Sequence, residues 1–329
     1  MRRLATMLAL GVAMIAAPSI ATAQQTPAAT AAAVKELPNI PALTSGWKDK
    51  FWTSKDKTKF HYCEAGPANG TVVILIHGSG GTATNWMANG LGMALTKTNR
   101  VIALEMRGHG QTVGPDGKRQ RRTPNMDLDV LEFMDAMGIK KAHIGGFSMG
   151  GSITGQLLAR APDRFYSAHF GGSGVREVEG SEFAKMIPPE PVGTAPLDAK
   201  ARELYDARAK AEAAKAGVGN TNTAASISAA SAASPNAAST DQSNLSSQPV
   251  PVAVPRPEIN LKALNIPVLA VVGEFDTPYA RTHRLWREAP NFKRVILTNR
   301  GHLSSYIAGL APELYRDSLV EFITANNPK

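Results

Sequence analysis

KKAHIGGFSMGGSITGQLLARAP, residues 140–162, changes character halfway along. Up to Ser148 it reads as a short buried strand, and from Met149 as a helix that stops near Pro162. Ser148 therefore sits where a strand turns sharply into a helix, inside Gly146-Phe147-Ser148-Met149-Gly150. A turn that tight needs small residues around the serine, and it thrusts the Oγ above the sheet edge. Gly146 and Gly150 fill those places, and Gly145 and Gly151 add room. The helix beyond offers free N–H groups and its positive dipole end. A glycine-rich turn without chemistry is the competing reading, and the rest of the chain decides between them.

A serine hydroxyl attacks a carbonyl only with a base, an acid that orients the base, and donors for the oxyanion. Of the seven histidines, His302 alone stands in a glycine-led loop after the last strand, in NRGHLSS. His143 lies within the strand leading to Ser148 and reads as a core residue; His77 and His109 sit in the strand-end turns HGSGG and RGHG, where they can orient loops. His61, His169 and His283 have no context that favours chemistry. VVGEFDTPY places Asp276 just past a strand end, where the loop can turn back to a histidine; Glu274, two residues earlier, is its rival. HGSGG follows an apolar strand, so the backbone N–H groups of Ser79 and Met149 can form the oxyanion cradle. The same glycines do not read as a phosphate loop, because the Gly-Lys-Ser/Thr ending is missing.

Around these motifs, wholly apolar runs alternate with helix formers. TVVILI, NRVIAL, KKAHIGGF, RFYSAHFG, NIPVLAVVG and FKRVILT read as strands. TATNWMANGLGMAL, MDLDVLEFMDAMG and YARTHRLWREA read as helices, and the chain closes as one helix or two. Such alternation implies an α/β fold, a mainly parallel sheet with helices on both faces and sites at the carboxyl ends of its strands. Residues 176–262 interrupt it: PLDAKARELYDARAKAEAAKAG is a strong helix former, followed by an Ala/Ser/Asn/Pro-rich run that cannot bury much apolar surface.

HGSGG, RGHGQT, GFSMGG, GEFD and RGH, in that order, resemble the α/β-hydrolase superfamily, in its esterase-like serine hydrolase branch. The resemblance covers about residues 45–175 and 263–328. It implies an eight-stranded sheet with a lid inserted after the sixth strand, where 176–262 falls. It also implies Ser148 as nucleophile, His302 as base and Asp276 as orienting acid, acting on carboxylic esters or lactones without organic cofactor or metal. Branches that use aspartate in place of Ser148 are disfavoured. Glu105 stands where the family often has aspartate, a departure that touches loop packing. Acyl transfer, carbon–carbon bond hydrolysis and peptide hydrolysis use the same triad and stay open, as does a ligand-binding member of the fold without turnover.

The chain has 329 residues, 43% hydrophobic and 19% charged, in the range of globular proteins. Met1-Arg2-Arg3, a short apolar run and Ala21-Thr22-Ala23 read as a signal peptide over residues 1–23, which implies periplasmic or secreted protein with no membrane anchor after cleavage. Residues 24–44 read as a flexible lead-in and 45–328 as the catalytic domain. The net charge of +9 is modest, and its densest cluster, KRQRR at 118–122, reads as a solvated loop rather than a nucleic-acid surface. With Cys63 as the single cysteine there is no disulfide framework, and no ligand spacing indicates a metal. The expected partner is a small acyl substrate.

Overall fold

Eight strands form one sheet: β1 (Lys48–Thr53), β2 (Lys59–Ala65), β3 (Thr71–Ile76), β4 (Asn99–Leu104), β5 (Ala142–Phe147), β6 (Phe165–Gly171), β7 (Val268–Gly273) and β8 (Phe292–Leu297). Their spatial order is β1-β2-β4-β3-β5-β6-β7-β8. Pairing is antiparallel from β1 through β2 to β4 and parallel from β4 to β8. The fold expected from the alternating pattern is therefore the one found. The computed structural model describes residues 46–120, 122–190, 193–215, 246 and 249–329. The segments read as a signal peptide and a lead-in, and most of the Ala/Ser-rich run, lie outside the described residues.

Alternate residues of each strand serve opposite faces of the sheet. Ile74, Ile76, Ile102, Leu104, Val268 and Ala270 point to one core layer. Helices α3 (Met126–Ala136), α4 (Met149–Arg160) and α7 (Pro278–Glu288) cover it with Val130, Phe133, Leu157 and Leu285. Val73, Leu75, Val101, Ala103, Leu269 and Val271 point to the other layer. There α1 (Asn85–Ala88), α2 (Leu91–Leu95) and α8 (Glu313–Ala325) supply Trp86, Leu91, Leu95, Leu319 and Phe322. Burial on both faces is why β7 is apolar throughout and why β5, buried at every position, departs from that only at His143.

Two expectations are revised. The single helix expected over 82–95 is broken into α1 and α2 at Gly90, whose φ is +77°. The edge strand β1 has no reading in the sequence, because only Trp52 and the neighbouring Trp47 reach the core while Lys48, Asp49 and Lys50 face outward or toward the edge. Charged edge residues of this kind discourage pairing with another chain.

Between β6 and β7 lie α5 (Glu182–Lys185) and α6 (Asp198–Lys215). On α6, Ala201 and Tyr205 pack with Ile307 and Leu310 from the loop after His302. No helix among the described residues is long and apolar enough to cross a membrane.

Candidate active site

β3 and β5 are neighbours, while the chain passes from β3 to β4 on one side and back to β5 on the other. A crevice at the strand ends forms at such a reversal. Ser148 stands there, between β5 and α4, with φ +52° and ψ −107°. A non-glycine residue with positive φ costs on the order of 1–3 kcal/mol and persists only where its surroundings hold it. Here Ser148 N donates to Gly171 O at 2.8 Å. A Cβ on Gly146 would lie 2.4 Å from the Gly150 carbonyl carbon, and one on Gly150 2.2 Å from Ile76 O. The flanking glycines are thus required by backbone contact, and Ser148 keeps partial exposure to solvent.

His302 Nδ1 and Asp276 Oδ2 are 2.7 Å apart. Since a carboxylate only accepts, Nδ1 carries the proton and Nε2 is left with its lone pair. Asp276 is 5% exposed; its other oxygen takes Arg281 Nη2 at 3.0 Å, and its carbonyl takes Arg281 Nε at 2.9 Å. The rival acid, Glu274, instead accepts the Asn299 N–H at 2.9 Å. Phe147 joins the two halves of the site: its ring lies 4.9 Å from that of His302 and stacks on Tyr306 at 4.1 Å. The Ser148 hydroxyl makes no hydrogen bond to His302 in this geometry.

The loop after β3 approaches Ser148 closely: a Cβ on Gly78 would be 3.5 Å from the Ser148 Cβ. The N–H of Met149, first residue of α4, has no intrahelical partner. His77 holds the loop. Its Nε2 accepts the Met106 N–H at 3.1 Å, so Nδ1 carries the proton and donates to Gly78 O at 2.8 Å. Burial lowers its pKa, which keeps the ring neutral. Glu105 completes the support, accepting from Ala83 N at 3.1 Å and Gln111 N at 2.5 Å and meeting His61 Nδ1 at 3.2 Å. His143 is a core residue, bonded to Ser167 Oγ at 2.7 Å and Asn327 at 3.0 Å. Trp86 is fully buried and belongs to the core.

Three contacts at the site have no signal in the sequence. Arg281 clamps Asp276 from α7, Tyr205 of α6 donates to Ser79 O at 2.8 Å, and Arg122 Nη1 donates to Ser79 Oγ at 3.1 Å. Arg122, in the basic run 118–122, makes its contact while staying exposed to solvent. Away from the site, β1–β2 pairing brings Asp49, His61 and Cys63 donors within 4.8 Å of one another. Sequence spacing indicated no such cluster, and the set could hold a divalent ion. His61 Nε2 already meets Asp49 Oδ1 at 2.9 Å, so the ring is satisfied as it stands.

Comparison with known proteins places this architecture. Over 109 residues the chain is 38% identical to the dihydrolipoyllysine-residue acetyltransferase component of the acetoin cleaving system of Pseudomonas putida, covering 32% of this chain and 27% of that one. Over 102 residues it is 34% identical to 3-oxoadipate enol-lactonase 1 of Acinetobacter baylyi, covering 31% and 36%. The matched segments thus span well under half the length of these relatives. The crystal structure of a carboxylesterase from Bacillus subtilis superposes with a TM-score of 0.55 at 18% identity, over 85% of this chain and 92% of that one, which shows a shared fold. The model of the alpha/beta hydrolase fold family matches residues 71–305. That span runs from β3 through Ser148 and Asp276 to the His302 loop, most of the chain, and the protein belongs to the alpha/beta hydrolase fold family.

Proposed function

We propose that the protein is an exported serine hydrolase that cleaves carboxylic esters or lactones through an acyl-serine intermediate. The observation that carries this reading is the strained Ser148 at the β5–α4 turn, in one crevice with the His302–Asp276 pair. His302 Nε2, with its lone pair free, takes the Ser148 proton as Oγ attacks the carbonyl carbon. Such serine–histidine bonds are often long in a resting enzyme and tighten when substrate is bound. The oxyanion that forms accepts from Ser79 N–H and Met149 N–H, each worth about 3 kcal/mol of transition-state stabilisation. The imidazolium, stabilised by Asp276, protonates the leaving alcohol as the tetrahedral intermediate collapses. Water then attacks the acyl-serine, again giving its proton to His302, and the acid leaves as Ser148 regains its hydrogen.

The carboxylesterase fold and the enol-lactonase similarity support ester or lactone substrates, and the pattern of residues 1–23 supports export. Labelling by a fluorophosphonate probe tests the central step. The parent is expected to label covalently, Ser148→Ala not at all, and His302→Ala only weakly. A folded parent that does not label would remove the acyl-serine mechanism.

A further inference from the structure

β1 and β2 bring three unlike donors to one point at the edge of the sheet. In their antiparallel register Asp49 lies directly opposite Cys63, and His61 is two residues from Cys63 along β2. All three side chains therefore stand on the same face. Asp49 Oδ1 is 2.9 Å from His61 Nε2 and 3.3 Å from Cys63 Sγ, and that Sγ is 3.8 Å from Nε2.

Protons hold the set together as it stands. His61 is wedged between two carboxylates, with Nδ1 3.2 Å from Glu105 Oε1 and Nε2 on Asp49. A carboxylate only accepts, so both ring nitrogens carry hydrogen and the ring is a cation. The Cys63 thiol donates to the same Asp49 oxygen. Two protons thus converge on one oxygen, one from a buried imidazolium and one from a buried thiol.

One dication can replace both protons. Their removal leaves a neutral imidazole and a thiolate, a loss of two positive charges that a divalent ion restores, so the cluster keeps its net charge. The Nδ1–H of His61 stays on Glu105, the carboxylate–histidine arrangement that orients an imidazole on a metal. Zinc bonds of about 2.3 Å to sulfur and about 2.0–2.2 Å to nitrogen and oxygen set tetrahedral donors roughly 3.3–3.6 Å apart. The separations of 2.9, 3.3 and 3.8 Å reach that with shifts under about half an ångström. Mixed sulfur, nitrogen and oxygen donors suit zinc, whereas calcium and magnesium take oxygen ligands. The Asp49 side chain is 40% exposed, which gives the ion an entry and leaves its fourth position to water.

We propose that Asp49, His61 and Cys63 form a zinc site that ties β1 to β2, apart from the chemistry at Ser148. The proposal goes beyond the serine hydrolase reading and does not rest on it.

Cobalt(II), a coloured substitute for zinc, tests it. Because Cys63 is the single cysteine, a thiolate-to-cobalt charge-transfer band in the near ultraviolet can come from no other residue. Untagged, reduced protein titrated with Co2+ is expected to develop that band together with strong tetrahedral bands in the visible, saturating at one ion per chain. Equimolar Zn2+ should abolish both, and Cys63→Ser should never show the charge-transfer band. Asp49→Asn keeps an acceptor for His61 and the thiol but removes the charge. It should weaken zinc binding, measured against a chromophoric chelator, about tenfold or more, since even loss of a group that supports a ligand costs about 10–100-fold. Saturating zinc should raise the urea midpoint of the parent and leave that of Asp49→Asn where it was. Absence of the thiolate band, saturation at one ion per two chains, or a zinc affinity indifferent to Asp49→Asn overturns the proposal. Should Cys63→Ser fail to fold, the band in the parent and the partly exposed Asp49→Asn carry the test. Neither measurement reads activity, so a failure of fluorophosphonate labelling leaves the outcome unchanged.

Discussion

Asp276 is held by three contacts from two residues: His302 on one oxygen, Arg281 on the other, and Arg281 again on its carbonyl. Replacing one oxygen by an amide breaks that arrangement selectively. In Asp276→Asn the amide would present N–H or oxygen to Nδ1 in the wrong sense, which favours the tautomer with Nε2 protonated and leaves Ser148 without a base. The rate of fluorophosphonate labelling is expected to fall about 10³–10⁴-fold. Glu274→Gln should stay within about threefold of the parent, since its carboxylate serves the Asn299 N–H, away from His302. Equal losses in the two variants would sink the assignment of Asp276. Asp276 and His302 were legible because each follows a strand in a short loop, where direction is constrained by the sheet. Arg281 was not, because an arginine five residues into the next stretch carries no mark of which way it turns. Arg122 was hidden by its neighbours in a basic run, and its contact with Ser79 joins residues 43 apart in sequence.

At the scale of the element, the β5–α4 turn sets the position of Ser148 through contacts that forbid side chains. Gly150 and Gly155 lie on the same helix and make opposite predictions. A Cβ on Gly150 would meet Ile76 O at 2.2 Å, so Gly150→Ala must push α4 off β3 and is expected to cost at least about 3 kcal/mol. A Cβ on Gly155 would meet nothing closer than Phe170 Cε1 at 3.7 Å. Gly155→Ala should therefore add about 0.5–1 kcal/mol by reducing the freedom of the unfolded chain. Urea denaturation of the two variants beside the parent measures this; a mild effect at Gly150 would mean that the turn has slack. The turn could be read directly because strand, serine, glycines and helix are contiguous. The strands of the parallel sheet were legible for a related reason: burial on both faces leaves a continuous apolar run. β1, half exposed at an edge and charged, has no such run, and α1 and α2 pass for one helix until Gly90 is seen to take a left-handed conformation.

Across the whole molecule, burial has stored an acid sensitivity that no single motif reveals. Burial lowers the pKa of His77 and His109, brings His143 to about 4, and brings His169 to about 3. His61 works the other way: burial opposes its charge, but Glu105 and Asp49 outweigh that and raise its pKa. A depressed histidine costs nothing above the unfolded value of 6.5, where folded and unfolded rings are both neutral. As pH falls below 6.5 the unfolded chain binds a proton that the folded chain refuses, so stability declines until the folded pKa is reached. For His169 that window runs from 6.5 to about 3. The ring meets Tyr315 Oη at 3.0 Å through Nε2, while Nδ1 has no partner. His169→Gln keeps an amide group for Tyr315 and removes the titration. At pH 7.5 the variant should be no more stable than the parent. Between pH 7.5 and 4.5 the difference should shift in its favour by on the order of 2–3 kcal/mol, because about 1.4 kcal/mol accrues per pH unit below 6.5. Comparing variant with parent cancels the contributions of His61 and of the buried carboxylates, which both chains share. Urea midpoints at the two pH values decide it: parallel pH slopes would mean that the folded protein accepts a proton on His169 and that the core around Trp86 and Tyr315 opens to water more readily than its packing implies.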